Sequence, residues 1–360
     1  MTERRLRVLI VDDSLFMRSA IAKTLSNGPF DVVGQAKDGN EALAQVTALA
    51  PDVITMDFNM PGMNGADTVR ALMQQRPTPV VMFSAHTKQG AKETFDALGA
   101  GAVDFVTKPA GEVSVDLSKI ADELMRKLIA AASARPRAAA PPRPRTGPMP
   151  VARPSGQFAA VTQSGRHSTL SGTGGGLPRL CVIAISTGGP AALSELIPAL
   201  PGDLRTAVVV VQHMPAGFTS ALAERLDAVS KVGVREARGG ERPLPGGVLI
   251  APGDRHLEFD ARGLVVLGEG PLVNGCRPSA DVTMLSAAKV YGRRTLAIVM
   301  TGMGKDGAAG ALAIKQAEGK TCAQDQHTSV IYGMPKAAVE AGAIDEVLPL
   351  ADIAAWLRYA

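Results

Sequence analysis

Cysteine, histidine, tryptophan and long apolar runs are all scarce in these 360 residues. The three cysteines, Cys181, Cys276 and Cys322, are an odd number without paired spacing, which argues against a disulfide framework or a cysteine-held metal and for reduced, buried thiols. Apolar runs such as AVVVV at 207–211 fall far short of the roughly 20 residues that cross a bilayer. MTERRLRVLIVDD leads straight into a strand pattern, so neither an export leader nor a membrane anchor is expected and the compartment reads as cytoplasmic. No two of the five histidines stand at i, i+4 or share a short motif with an acid, which argues against a zinc hydrolase. His86, His167 and His327 read as ordinary surface or core histidines.

Acid is missing from one stretch altogether. Residues 1–125 hold 12 Lys/Arg against 16 Asp/Glu and 177–360 hold 18 against 18, whereas 126–176 hold 8 Lys/Arg and no acid. ARPRAAAPPRPRTGPMPVARPSG cannot bury enough apolar surface to fold alone and reads as a tether. Phe158 is its lone aromatic, too little stacking surface for a nucleic-acid partner. The chain therefore divides into a first domain at 1–130, a flexible basic linker at 131–177 and a second domain at 178–360.

The first domain alternates strand and helix patterns: LRVLIVDD, SLFMRSAIAKTL, DVVGQA, EALAQVTAL, DVITMD, a helix from Ala66 to Gln75, PVVMFSA, a helix over 88–98, AVDFVTKP and LSKIADELMRKL. Short alternation of this kind predicts a doubly wound parallel sheet with ligands at the strand carboxyl ends. Those ends carry Asp12 and Asp13, Asp57, Ser84 and Lys108. Converging carboxylates repel one another, and a hard divalent cation such as Mg²⁺ relieves that. Lys108 and Ser84 supply donors for phosphoryl oxygens, and Asp57, mid-sheet before a Gly- and Pro-rich turn, is the candidate acceptor. IVDDS at 10–14, MDFNMPGMNG at 56–65, FSA at 83–85 and FVTKP at 105–109 resemble the flavodoxin-like receiver domain of bacterial response regulators. The resemblance implies phosphorylation of Asp57 by a histidine kinase and Mg²⁺ held by Asp13, Asp57 and the backbone carbonyl of Asn59. It further implies a cis bond before Pro109 and a switching aromatic at Phe105.

The second domain alternates as well, from RLCVIAIS through TAVVVVQHM and TLAIVMTGMGKDG to KTCAQD. The stretch GGVLIAPGDRH pairs with LEFDARGLVVLGEG as an inserted hairpin in a second doubly wound, mostly parallel α/β domain. Ser186 ends its first strand, His213 its second, His256 follows VLIAPGDR, and Asp306 lies in the Gly-rich turn after TLAIVM. A serine hydroxyl is a poor nucleophile without a base oriented by an acid, and His213 and Asp306 are the candidates. Gly188 and Gly189 let strand turn sharply into helix, so that helix amides point at the crevice where an oxyanion would form. STGGPAA and TGMGKDG lack the spacing of the nucleotide-binding glycine motifs.

AISTGGPAAL, VQHMPAGFT, LPGGVLIAPGDRH, RPSADV, VMTGMGKDG and YGMPKAAVEAG resemble the CheB family of chemotaxis protein-glutamate methylesterases. The resemblance implies that Ser186 attacks glutamate γ-methyl esters on chemoreceptors, that His213 is the base and Asp306 its orienter, and that receptor glutamines are deamidated by the same chemistry. It places Thr187 at the border of the site, the Met303 amide at the oxyanion and His256 near the cleft, with no cofactor at the esterase site. The linker is longer than in many members, and Lys305 stands where a neutral Asn is also seen. An unphosphorylated receiver covering the crevice is expected to restrain the enzyme. The alternative is a receiver joined to a non-catalytic module that binds receptors or a kinase, which a missing member of the Ser186, His213, Asp306 set would favour; none is missing.

Overall fold

The structure, a computed structural model, describes residues 4–85, 87–108, 117, 120–134 and 177–360. Pro109 with its expected cis bond, His86, Phe158, His167 and nearly all of the basic tether lie outside the described residues.

The first half runs β1 (Leu6–Val11), α1 (Leu15–Ser26), β2 (Phe30–Ala36), α2 (Gly39–Leu49), β3 (Val53–Asp57), α3 (Gly65–Gln75), β4 (Val80–Ser84), α4 (Lys88–Ala100), β5 (Asp104–Thr107) and α5 (Ala121–Ser133). Its five strands pair in parallel in the order β2-β1-β3-β4-β5. β3 and β4 are buried along their whole length, as strands covered by helices on both faces must be. Short polar side chains start the helices: Ser14, Asp38, Asn64 and Thr87 each accept a backbone N–H of the first turn of α1, α2, α3 and α4. Helix α5 starts at Ala121 and runs to Ser133, three residues past the boundary read at 130, with Ala130 and Ala131 buried.

The second half runs β6 (Arg179–Ile185), α6 (Gly189–Ala199), β7 (Thr206–Gln212), α7 (Phe218–Asp227), β8 (Gly233–Glu236), β9 (Gly247–Ile250), β10 (His256–Phe259), β11 (Val265–Gly268), α8 (Ala280–Tyr291), β12 (Thr295–Val299), α9 (Ala308–Gln316), β13 (Lys320–Gln324), α10 (Met334–Glu340), β14 (Glu346–Leu348) and α11 (Leu350–Tyr359). Seven strands form a parallel sheet in the order β14-β13-β12-β6-β7-β9-β8. The inserted hairpin exists, but its strands are β10 and β11: β10 begins at His256, the last residue of the first stretch expected to pair, and the rest of the hairpin lies in the second. GVLI instead becomes β9 of the main sheet, because its buried apolar residues fit between β7 and β8.

In both sheets the chain reverses its winding beside the first strand, and a crevice opens there at the carboxyl ends. β1 lies between β2 and β3, and β6 between β12 and β7. The described residues of the two halves belong to one compact unit. Phe105 of β5 stacks on Phe218 of α7 with ring centroids 4.6 Å apart, and Arg225 of α7 pairs with Asp96 of α4 at 3.0 Å.

Ile183 on β6 is fully buried between the layers. Ile183→Ala should lower stability by about 2–5 kcal/mol in urea or thermal denaturation; a loss below about 1 kcal/mol would contradict the packed role of β6.

Candidate active site and phosphoacceptor rim

At the carboxyl rim of the first sheet, one carboxylate oxygen each from Asp12, Asp13 and Asp57 lie within 4.8 Å of one another. Lys108 Nζ reaches Asp57 at 2.9 Å and Asp12 at 3.1 Å. Burial pushes the Asp57 carboxyl up, against the pull of Lys108. For Lys108 burial works against the charge, but Asp57 and Asp12 outweigh it and its pKa is raised. Ser84 Oγ at the end of β4 is buried and has no hydrogen-bond partner. A buried hydroxyl without a partner beside Asp57's strand suits an incoming phosphoryl oxygen, and an all-oxygen donor set suits a hard divalent cation. The Asn59 side chain donates to Glu93, so its part in a cation site would be through its carbonyl.

At the rim of the second sheet, Ser186 follows β6, His213 follows β7 and Asp306 sits in the turn between β12 and α9. His213 Nε2 lies 2.7 Å from Asp306 Oδ2. The Asp306 carboxylate, 2% exposed, also accepts from Ser279 Oγ at 2.6 Å, Ala280 N at 2.6 Å, Asp281 N at 3.2 Å and Asn274 Nδ2 at 3.0 Å. Three of these donors belong to the start of α8, whose N-terminal amides and dipole favour an anion. Burial would raise the Asp306 pKa, but the bonds from His213, Ser279 and Asn274 win and hold it well below the usual carboxylate range. His213 is raised to about 9, because Asp306 and the Cys276 thiol outweigh the burial that would lower it.

With Nε2 committed to a carboxylate that can only accept, Nδ1 is the nitrogen left to act as base. It lies 3.5 Å from Cys276 Sγ. Ser186 Oγ makes no hydrogen bond among the described residues, so the serine to histidine bond expected from the sequence is not formed in this arrangement. Behind the turn, Gln212 Nε2 donates to the carbonyls of both Ser186 (3.0 Å) and His213 (3.2 Å), tying nucleophile and base together through their backbones. Ser186 N donates to Thr301 O at 3.0 Å, and a Cβ on Gly302 would lie 2.8 Å from the Ser186 Cβ, so the loop carrying Met303 packs directly on the serine. The amides of Thr187 and Met303 have no acceptor among the described residues.

A cavity of about 550 Å³ joins Ser186, Thr187, His213, Cys276, Met303 and Asp306, and Glu123, Arg126 and Lys127 of α5 form part of its wall. The receiver half also touches the nucleophile turn itself: Thr187 Oγ1 donates to Asp104 Oδ2 at 2.5 Å. The other oxygen of Asp104 takes Lys127 Nζ at 3.2 Å and the Phe105 amide at 2.7 Å, and Lys127 also sits 5.0 Å from the Phe105 ring centre.

His256 lies near the cleft without lining the cavity: it is 3% exposed, its ring takes Ser279 N at 3.2 Å and meets Pro271 O at 2.9 Å, and Ser279 in turn donates to Asp306. Gly188 and Gly189 make the sharp turn from strand to helix in a crowded place. A Cβ at Gly188 would meet Val330 at 2.6 Å and one at Gly189 would meet Gln212 Oε1 at 1.9 Å, and Gly188 needs φ +79°. Gln212, Asn274, Cys276 and Ser279 escaped the sequence reading. Only their places beside VQH and RPSAD hinted at a role.

A phosphoacceptor rim and a Ser-His-Asp set on one chain define a response regulator with a hydrolase as output. Residues 8–117 match the response regulator receiver domain and 181–357 match CheB methylesterase. A protein-glutamate methylesterase/protein-glutamine glutaminase of Symbiobacterium thermophilum is 48% identical over 98% of this chain and 96% of its own length. One from Pyrococcus abyssi is 42% identical over 98% of this chain and 93% of its own. The crystal structure of the Thermotoga maritima CheB methylesterase catalytic domain aligns at 46% identity, covering 50% of this chain and 97% of that domain, with a TM-score of 0.49. The chain belongs to the protein-glutamate methylesterase/protein-glutamine glutaminase family and is a hydrolase with a receiver domain. Among the described residues, no helix is long and apolar enough to cross a membrane.

His213 must be neutral to take a proton, and its pKa of about 9 keeps it charged at neutrality. The esterase kcat/KM should therefore climb roughly tenfold per pH unit from pH 7 and level off near pH 9. A profile flat across that range would contradict the assignment of His213 as base.

Proposed function

We propose that the chain hydrolyses glutamate γ-methyl esters and glutamine side-chain amides on chemoreceptors, with Ser186, His213 and Asp306 as the catalytic set. The observation that carries this reading is the convergence of all three on one cavity from the ends of β6, β7 and β12, with His213 already held by Asp306. Ser186 Oγ attacks the acyl carbon as His213 Nδ1 takes its proton. The oxyanion is met by the free amides of Thr187 and Met303. His213 then returns the proton to the departing methanol or ammonia, takes one from water, and the acyl-enzyme is hydrolysed to glutamate. Asp306 stays ionised throughout and keeps Nε2–H in place. Nothing in the site favours a non-catalytic module.

The receiver half controls this site. Asp57 accepts a phosphoryl group from a chemotaxis histidine kinase, and Asp13, Asp57 and the carbonyl of Asn59, with Asp12 beside them, would hold Mg²⁺. The cation supplies charge neutralisation at the phosphoryl group. Lys108 and Ser84 meet the phosphoryl oxygens, which draws Lys108 away from its pairing with the Asp57 and Asp12 carboxylates. Lys108 directly follows β5, which carries Phe105 and Asp104, so the change acts on the Phe105–Phe218 stack and the Asp104–Thr187 bond. Phosphorylation then shifts the population from a covered to an open cleft. The receptor substrate implies a cytoplasmic enzyme working at receptor clusters.

Ser186→Ala should abolish methanol release from methyl-labelled receptor membranes while Asp57 still takes phosphate; residual release would refute the nucleophile. Asp104→Ala should raise the unphosphorylated rate at least fivefold and shrink the activation by an acyl phosphate in proportion. Asp96→Ala, which removes only the exposed pair with Arg225, should change the rate less than twofold. Equal effects from the two substitutions would argue against control through Thr187.

A further inference from the structure

Cys276 stands in the cleft without a part in the esterase reaction. It is half-buried in the loop between β11 and α8, with Sγ 3.5 Å from His213 Nδ1 and 3.6 Å from the Asn274 carbonyl. The other two cysteines are buried within β6 and β13, and burial pushes both thiols up. Cys276 differs in having a base. Asp306 holds Nε2–H, which makes Nδ1 a strong proton acceptor directed at the thiol, and a thiolate beside an imidazolium is the reactive form of cysteine. The cavity of about 550 Å³ that the thiol lines admits a small electrophile.

We propose that Cys276 is an oxidation site for small hydroperoxides and that its oxidation removes His213 from the esterase reaction. The sulfur, its proton passed to Nδ1, attacks the terminal peroxide oxygen, the O–O bond breaks, and the departing hydroxide or alkoxide takes the imidazolium proton and leaves as water or alcohol. Sulfur loses two electrons and the peroxide gains them. The product is a sulfenic acid facing a neutral Nδ1, to which its hydroxyl donates, so the nitrogen that Ser186 needs is occupied. A thiol reductant reverses the step. The thiol chemistry stands on the Cys276–His213 geometry alone; its consequence for turnover rests on the esterase reading above.

In the full-length protein, iodoacetamide alkylation at pH 7 followed by peptide mass spectrometry should label Cys276 roughly tenfold faster than the same thiol in His213→Asn, because the substitution removes the proton acceptor beside the sulfur. Equal labelling rates in the two proteins overturn the pairing. Under hydrogen peroxide, methanol release should fall in step with sulfenic-acid labelling of Cys276 and recover with dithiothreitol. Cys276→Ser, scored against its own untreated rate, should resist the same exposure. Equal loss in both proteins, or turnover that survives complete oxidation of Cys276, overturns the switch. If untreated protein releases no methanol, the esterase reading fails and the alkylation rates still decide the thiol.

Discussion

The catalytic half is organised around one charge taken out of water. A carboxylate as buried as Asp306 is tolerable only if its lone pairs are filled, and removing a single donor from such a group leaves an uncompensated charge. Here five donors converge on it: the imidazole of His213, the hydroxyl of Ser279, two amides at the start of α8 and the amide of Asn274. Each donor fixes an element. α8 is pinned by its N-terminus, the loop before it by Asn274, and β7 through the histidine that follows it. Asp281 repeats the device one step away, accepting from Gly307 and Gly310 at the start of α9 and from the same Asn274. Two helices and two strand ends are thus held by a pair of neighbouring acids that one asparagine joins.

The interface between the halves uses different physics. Beside apolar side chains of α4 that join the core of the second half, it holds a pair of stacked rings, a buried hydroxyl to carboxylate bond and an exposed ion pair. Stacking and the exposed pair each contribute on the order of 1 kcal/mol or less.

Much of this architecture was legible in the sequence because parallel strands are buried on both faces and so are written as unbroken apolar runs, each ending where chemistry is exposed. That is why the places of Asp57, Ser84, Lys108, Ser186 and His213 at strand ends, and of Asp306 in the turn after β12, could be read from the sequence. Side chains that act through tertiary partners carried no such mark. Gln212 looks like the last residue of a strand, and Asn274 and Ser279 look like loop polar groups until α8 brings them to Asp306. His256 reads as a residue near the cleft without a role for the same reason: its ring is spent on the backbone of Ser279 and Pro271, a partnership that no local pattern shows. The glycines after Ser186 read as a turn, but what they must avoid, Val330 and Gln212, comes from distant parts of the chain and leaves no local mark.

Strand β5 is only four residues long, with Asp104 at its start and Lys108 immediately after its end. At about 3.3 Å per residue it is a rod of roughly 13 Å. The cation of one chemical site and the carboxylate that touches the other are therefore the two tips of a single inextensible object. Such a rod is already near full extension, so a shift of one tip along its axis displaces the other by the same amount.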